Sequence, residues 1–534
     1  MLFFGLVAVG FYIYTTYVMK NLFDGYNSPL ASQKLRLTPG WIPGRYMDDR
    51  DTQYHSFREF IPLLIIASFV MVGVGRLITF LWRSPRLKLT WNFIFGFLFV
   101  AVTSEGQILF PLFILTTNYY IVRFLGKSRL SPVFTWTYNC GLLVYFEYYH
   151  RFANIHPSLA FLDQYYGMFP WNSVPYAMTL RVISYGLDYY WMLTNPSKEV
   201  PNYAVHVPYE TRQNTSASPG DYTLVGLLSF AFFFPTWVAG PYTTYNSYIS
   251  HINNPQTSYP PAKLFLYFFR LLCCMLLKEV MDHYFYLTSY NTYIFSSGLW
   301  REIPVSVLAI LSYWTLKSMY LKFLIIWRLF RTVALFDGIE IPENMDRCMS
   351  NNYTVSGFWR SWHRSFNMWL LRYVYFPLGG SRGNAWLKVR NIFLVFTFVV
   401  FAHAPRLVTD PQILAWGYSM AVFMLPELLA AYVFRSNGPL GGLRGKWYWK
   451  HIVSAGGSVM IVILIIGNIC GYGLTLSSRD KTVPEVVLEL VEHVFSWKNW
   501  LTVFSIFSLM MVGTEIMLVI RNVEEIVEGR KRKN

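Results

Sequence analysis

The chain has 534 residues, of which 54% are hydrophobic, 19% aromatic and only 14% charged. With a mean hydropathy of +0.32, this composition excludes a set of soluble domains and is typical of a protein that crosses a membrane many times. The formal net charge of +16 must lie in loops and tails, where basic residues mark cytoplasmic segments and attract anionic lipids or phosphate-bearing ligands. Five scattered cysteines are too few for a disulfide framework.

The first third of the chain combines apolar spans with one polar loop. Residues 2–19 are uncharged and apolar, with no small-residue cleavage site after them, which indicates a first membrane helix or signal anchor. Residues 25–60 are polar and are expected outside the bilayer. Further spans are predicted at about 61–82, 91–122 (one helix, or two shorter ones split near Ser104) and 132–149.

The middle of the chain carries polar residues within apolar sequence. Arg181 and Asp188 lie among aromatics in the segment 180–191, which suits a helix whose polar side chains face the protein interior. The hydrophilic loop 195–221 contains a glycosylation sequon at Asn214, which matters only if the loop faces the lumen.

The apolar segment that follows ends in FFFPTWVAGPY (232–242), where two prolines and a glycine break the helix. Non-helical backbone at membrane depth is tolerated only where it is buried in protein or lines a cavity. We therefore expect these residues near such a cavity.

The remaining apolar spans complete an all-α, polytopic membrane protein with roughly 10–12 transmembrane or re-entrant helices. We divide the chain into an N-terminal helix and extramembrane loop (1–60), a transmembrane core (61–520) and a basic cytoplasmic tail (521–534). The further spans are predicted at about 264–287, 305–329, 413–434, 452–474 and 500–520, beside the one that ends at His403.

Two histidines are the candidates for chemistry. His403 ends the apolar run 392–402, and ionisable groups at hydrocarbon depth are costly, so they usually belong to a reaction or a transport path. His363 lies among tryptophans and arginines, before a turn at Gly379-Gly380. The two could share a cavity; the alternatives are a satisfied core histidine at 403 and an ordinary interfacial helix around 363.

Basic residues crowd the segment between these histidines. They form either a belt that faces lipid headgroups or a site for a phosphorylated ligand. The residues are Arg360, Arg364, Arg372, Arg382, Lys388 and Arg390.

Five blocks of the chain combine aromatic, basic and helix-breaking residues in a recognisable order. They are LRVISYGLDYYW (180–191), FFFPTWVAGPY (232–242), WRLFRTVALFDGIEIPENMDRC (327–348), GFWRSWHRSFNMWLLRYVYFPLGGS (357–381) and the span ending at His403. These blocks resemble the signature of the membrane-bound O-acyltransferases, and more closely their glycerol-uptake-protein branch, which is related to the Hedgehog acyltransferases. Pro-Glu-Asn-Met and Trp-Arg-Ser-Trp-His are the most specific parts.

The resemblance implies roles for individual residues. His403 matches the general base of the family, and His363 matches its second active-site position. One departure is that many relatives have Trp-His where this chain has Ala402-His403, with Pro405 close behind. Trp359, Asn367, Arg372 and Tyr375 fall where the family lines its acyl-CoA tunnel. Arg360 and Arg364 belong to the arginine-rich face, which is expected to hold the phosphates of CoA.

The expected reaction is transfer of a fatty acyl chain from acyl-CoA, as co-substrate, to a lipid hydroxyl, with neutral His403 as the base and no metal ion or cofactor. The resemblance implies a lysoglycerolipid or lyso-glycosylphosphatidylinositol acceptor, in GPI-anchor lipid remodelling at the endoplasmic reticulum membrane. No nucleic-acid partner is expected, and the oligomeric state is open. The alternatives are a glycerol or polyol transporter, disfavoured because no internal repeat is detected, a protein acyltransferase of the Hedgehog type, and a catalytically silent scaffold.

Overall fold

The computed structural model describes residues 2–149, 151–165, 167, 174–196, 201–203, 206–403, 411–469 and 483–527. Pro405, Cys470 and the basic end of the predicted tail, residues 529–534, lie outside these ranges.

The described chain is almost entirely helical, which confirms the all-α prediction. Six helical segments in the described part are long and apolar enough to cross a membrane. The prediction of 10–12 also counted re-entrant helices, and several short helices in the middle of the chain are indeed buried in protein. The six segments are Thr52–Trp82, Pro85–Leu125, Ala385–His403, Ile413–Val433, Trp449–Asn468 and Trp497–Ile526.

The N-terminal part is more structured than predicted. Its loop contains a helix and a two-stranded antiparallel ribbon, and the next helix begins at Thr52 because the Asp51 carboxylate accepts a hydrogen bond from the Tyr54 N–H at 3.1 Å. The domain boundary placed at residue 60 therefore falls inside this helix. The elements are α1 (Leu2–Asp24), α2 (Pro29–Leu35), β1 (Thr38–Pro39), β2 (Tyr46–Met47) and α3 (Thr52–Trp82).

The span predicted at 91–122 consists of two helices, the second of the two possibilities given in the sequence analysis. A 3₁₀ turn, Glu105–Ile108, separates them, and Glu105 has a positive φ of 48° at the break. The helices of this region are α4 (Pro85–Ser104), α5 (Leu109–Leu125), α6 (Leu130–Tyr148) and α7 (Phe152–Ile155).

The middle of the chain forms a buried group of mostly short helices. Arg181 and Asp188 are both buried, as the aromatic segment around them predicted. The helices are α8 (Val174–Thr194), α9 (Tyr209–Asn214), α10 (Leu224–Ala231), α11 (Phe234–Val238) and α12 (Tyr245–Asn253).

The predicted helix break at 232–242 is present, and its backbone is satisfied by protein. The Gly240 N–H donates to the Pro235 carbonyl at 2.9 Å, and the Arg181 guanidinium donates to the Thr236 carbonyl. A Cβ on Gly240 would lie 2.2 Å from the Pro235 oxygen, so the close turn requires glycine.

The second half supplies the long helices and the predicted site segment. The span predicted at 264–287 ends at Tyr284, and a separate helix begins at Leu287. The helices are α13 (Pro261–Tyr284), α14 (Leu287–Ser297), α15 (Val305–Phe336), α16 (Val355–Ser361), α17 (Arg364–Leu370), α18 (Ala385–His403), α19 (Pro411–Val433), α20 (Trp449–Asn468), α21 (Val483–Val494) and α22 (Trp500–Val527).

Helices α18 and α19 run antiparallel. The rings of His403 and Trp416 lie 5.9 Å apart at one end of the pair, and Thr397 reaches Tyr418 further along. Helix α20 then returns beside α19, with Phe434 against Trp449 at 5.1 Å. The N-terminus of α18, the α19–α20 loop and the N-terminus of α20 therefore lie at the same end of the bundle.

A buried ion pair joins the start of α4 to the end of α15. The Lys88 ammonium and the Asp337 carboxylate contact each other beside Gly75, and both residues are 5% exposed or less. Breaking a buried pair leaves an uncompensated charge, which is strongly destabilising.

We predict that Asp337→Ala lowers the free energy of unfolding by about 3–5 kcal/mol, because Lys88 loses its counter-charge. The measurement is the unfolding temperature of the purified protein in detergent. The double variant Lys88→Met/Asp337→Leu should regain most of the loss, and Glu302→Ala, at an exposed position, should have no effect. Unfolding of Asp337→Ala at the wild-type temperature would contradict the role of the pair.

Candidate functional site

The segment that carries His363 is held by the Pro-Glu-Asn-Met block. The Glu343 carboxylate lies 3.4 Å from Arg328 Nε and accepts a hydrogen bond from the Tyr267 hydroxyl at 2.7 Å. These contacts fix the block against α15 and leave the next residue, Asn344, to position α17.

Asn344 is fully buried and holds the N-terminus of α17. Its carbonyl accepts from the Arg364 N–H at 3.2 Å, and its side-chain oxygen accepts from the Ser365 N–H at 3.0 Å. The Ser365 hydroxyl in turn accepts from the Tyr242 N–H at 2.8 Å, which ties α17 to the helix break at 232–242. Three of the sequence blocks therefore meet around one short helix.

His363 sits at this junction in a strained backbone conformation. Its φ of 48° is in the left-handed region, which is uncommon for residues other than glycine and clusters at functional sites. The imidazole stacks on Trp327 with ring centres 4.6 Å apart. His363 lies outside the six membrane-spanning segments, and burial lowers the pKa of its ring, so the imidazole is neutral.

His403 is the last residue of α18. Its Nδ1 lies 2.7 Å from the Val399 carbonyl oxygen, which can only accept, so Nδ1 carries the proton and Nε2 the lone pair. The ring of Phe366 lies between the two histidines, 5.3 Å from His363 and 6.3 Å from His403. Both imidazoles therefore flank the same aromatic side chain.

The two histidines line one cavity of about 930 Å³, as the sequence suggested. One face of α18 lines it from Lys388 to His403, 15 residues apart, which corresponds to about 22 Å along the helix. Apolar side chains such as Phe396 and Val399 form much of the wall between these ends, and the His403 side chain remains accessible from the cavity.

The predicted substrate-binding residues divide into two groups. Trp359, Arg360, Asn367 and Tyr375 line the cavity of the two histidines. Arg364 and Arg372 do not: they face the opposite side of α17 and line a second cavity of about 530 Å³.

Arg364 and Arg372 are each paired with a carboxylate. Arg364 lies 3.1 Å from the half-exposed Glu210, and Arg372 lies 2.9 Å from the buried Asp188. Arg372 also donates to the side-chain oxygen of Asn214, so the sequon residue is part of this wall. The basic residues of this segment that line a cavity are therefore divided between two separate cavities, and they do not form the single phosphate-binding face that was one of the two predictions.

A π-helical turn, Leu371–Tyr375, follows α17 and separates these surfaces. Such turns are rare and are often found at functional sites. Leu371 and Phe376 line both cavities and form the wall between them.

Sequence reasoning missed a carboxylate in the large cavity. Glu427 of α19 lines it and accepts hydrogen bonds from the Ser356 N–H, at 3.0 Å, and from its hydroxyl. These bonds place a negative charge at the first turn of α16, whose N-cap is Thr354 and which carries Trp359 and Arg360. The signal available in the sequence was an acidic residue inside the predicted span 413–434.

Comparisons with known proteins match the part of the chain that forms this site. The family model of the membrane-bound O-acyltransferases matches residues 159–470, which include both histidines and both cavities. The chain is similar to membrane-bound O-acyltransferase gup1 of Schizosaccharomyces pombe, with 33% identity over 511 residues, covering 92% of this chain and 82% of the relative.

Two further relatives show the range of the similarity. Membrane-bound O-acyltransferase GUP1 of Saccharomyces cerevisiae is 31% identical over 476 residues, covering 86% of this chain and 81% of the relative. Protein-cysteine N-palmitoyltransferase HHAT of Mus musculus is 26% identical over 207 residues, 37% of this chain and 39% of that protein. The chain therefore belongs to the membrane-bound O-acyltransferase family, a family of polytopic membrane acyltransferases.

Proposed function

We propose that this acyltransferase moves a fatty acyl chain from acyl-CoA to the hydroxyl of a lysoglycerolipid, such as a lyso-glycosylphosphatidylinositol, in the endoplasmic reticulum membrane. The observation that carries the proposal is the single cavity lined by two imidazoles and, 15 residues before His403 on α18, by the unpaired Lys388. Similarity over most of the chain to yeast O-acyltransferases favours this reaction over glycerol transport, and the shorter match to a protein-cysteine acyltransferase favours a hydroxyl acceptor.

The Lys388 end of the cavity is suited to face the cytoplasm, where acyl-CoA is found. Residues 381–390 and 434–450 lie at this end of the bundle and contain three and four basic residues respectively, with no acidic ones. An excess of lysine and arginine marks cytoplasmic segments of membrane proteins.

The unpaired cation at this end, Lys388, fits the phosphates of CoA. Lys388 and Arg360 line the cavity and have no carboxylate partner among the described residues. This distinguishes them from Arg364 and Arg372, whose charges are compensated. Phosphate groups form strong charge-assisted hydrogen bonds with such side chains.

The length of the cavity fits the pantetheine arm. Its path from phosphate to sulfur has about 13 bonds and reaches roughly 15 Å when extended. The Lys388 side chain spans part of the remaining distance to His403. A phosphate held at Lys388 therefore brings the thioester close to the two histidines.

The tautomer of His403 suits it to act as the base. Nε2 takes the proton of the acceptor hydroxyl as the oxygen attacks the thioester carbonyl. The new C–O bond forms, the C–S bond breaks, and the proton passes to the departing CoA thiolate. Neutral His363, on the same cavity, donates an N–H to the developing oxyanion or orients the acceptor.

We predict that His403→Gln retains the fold and loses about 10²–10⁴-fold in turnover, the usual contribution of general base catalysis. The measurement is free CoA released by protein in liposomes that contain acyl-CoA and lysolipid. His451→Gln is the control, because His451 pairs with Glu515 and does not line the described cavity. Wild-type turnover in His403→Gln would refute the assignment of the base.

We predict that Lys388→Met raises KM for acyl-CoA about tenfold, with little change in kcat, because it removes a charged contact to phosphate. The same liposome assay measures it across acyl-CoA concentrations. Lys446→Met, in the α19–α20 loop outside the described cavity lining, should leave KM unchanged. A fall in kcat alone, with unchanged KM, would contradict phosphate binding at Lys388.

A further inference from the structure

The second cavity lies on the other face of the helix that carries the candidate active-site histidine. It is lined by side chains along one face of α17 and of the π-helical turn, namely Arg364, Met368 and Arg372. Helix α9 and the end of α8 form the opposite wall. Its volume of about 530 Å³ is in the range of small-molecule sites.

The charges of this cavity are already balanced. Arg364 pairs with Glu210, and Arg372 pairs with Asp188, which gives two positive and two negative groups. A polyphosphate bound here would meet carboxylates as well as guanidinium groups. The unpaired Lys388 and Arg360 of the large cavity are better partners for such a ligand.

The polar lining instead matches hydroxyl groups. A hydroxyl both donates and accepts hydrogen bonds, so it is satisfied by neighbouring donors and acceptors. Glu210 supplies acceptors, Arg364 supplies donors, and the amides of Gln213 and Asn214 supply both. Trp191 adds an aromatic wall, held by stacking against Tyr373 with ring centres 5.7 Å apart.

The wall between the two cavities is thin. Leu371 and Phe376 contribute to the lining of both, and Leu371 belongs to the π-helical turn. A group seated in the second cavity is therefore separated from the first by these apolar side chains. For a lipid whose headgroup lies in the second cavity, the reacting hydroxyl must cross this wall beside Leu371 to reach the histidines.

We propose that this second cavity binds the hydroxyl-rich headgroup of the acceptor lipid. The inference rests on the proposed acyl transfer and adds the place where the acceptor headgroup, a polyol or sugar ring as in inositol lipids, is bound. The large cavity holds the donor, and the second cavity selects the acceptor.

The test compares two lysolipids with one acyl-CoA in liposomes. We expect Glu210→Gln/Gln213→Ala to raise KM for lysophosphatidylinositol about tenfold, because it removes hydrogen bonds to the ring hydroxyls, and to leave KM for palmitoyl-CoA unchanged. With lysophosphatidylcholine, which lacks those hydroxyls, the variant should resemble the wild type. Lys388→Met should show the opposite pattern, a raised KM for palmitoyl-CoA only.

Binding of the headgroup alone gives an independent measurement. Soluble glycerophosphoinositol should inhibit competitively against lysophosphatidylinositol and not against palmitoyl-CoA, and the variant should weaken this inhibition. Glu210 is half-exposed, so its replacement by the isosteric glutamine is expected to leave the fold intact, and the unfolding temperature checks this.

The outcomes separate this inference from the proposed function. If the wild type releases no CoA with either lysolipid, the proposed acyl transfer is wrong. If the wild type is active but the variant keeps its KM for lysophosphatidylinositol, or raises KM for palmitoyl-CoA instead, the acceptor site is wrong and the acyl transfer stands.

Discussion

Hydrogen bonds between buried polar groups place the candidate catalytic residues. Asn344 uses its backbone and its side chain to hold the first turn of α17, while Glu343 is held by Arg328 and Tyr267. An unpaired polar group here would cost more than its hydrogen bond contributes when formed. The result is a rigid junction that keeps His363 in an unfavourable backbone conformation and directs it to the cavity.

The basic residues around α17 fall into two groups, according to whether a carboxylate pairs with them. Arg364 and Arg372 have carboxylate partners, so their charges stabilise the protein around α17. Lys388 and Arg360 line the large cavity without such partners in the described chain, so their charges are available to a ligand. On the proposed function, the cavities on the two sides of α17 therefore differ in chemistry, with phosphates favoured in the large cavity and hydroxyl groups in the second.

Much of this organisation could be predicted from the sequence. The interior positions of Arg181 and Asp188, the split near Ser104 and the helix break at 232–242 are confirmed, because each depends on local sequence. A shared cavity for the two histidines was one of the possibilities that the sequence offered, and both line the large cavity.

Other features depended on contacts between distant segments. The six substrate-binding candidates were all assigned to the acyl-CoA donor, whereas Arg364 and Arg372 line a cavity apart from the other four. Which face of α17 a side chain occupies depends on where the helix begins. Asn344, 20 residues before Arg364, sets that point through its hydrogen bonds, and the π-helical turn then changes the spacing of the residues that follow. Likewise, Glu427 places a negative charge at the first turn of α16 across 71 residues, a partnership that no local pattern reveals.

The central claim is that one continuous cavity holds the donor, with its phosphates at Lys388 and its thioester beside the two histidines. The most direct measurement is a cryo-electron microscopy structure of the protein in a lipid nanodisc with a non-hydrolysable thioether analogue of acyl-CoA. We expect density for the phosphates at Lys388 and Arg360 and for the thioether carbon near His363 and His403. Analogue bound in the cavity of Arg364 and Arg372, or with its sulfur far from both histidines, would contradict the account.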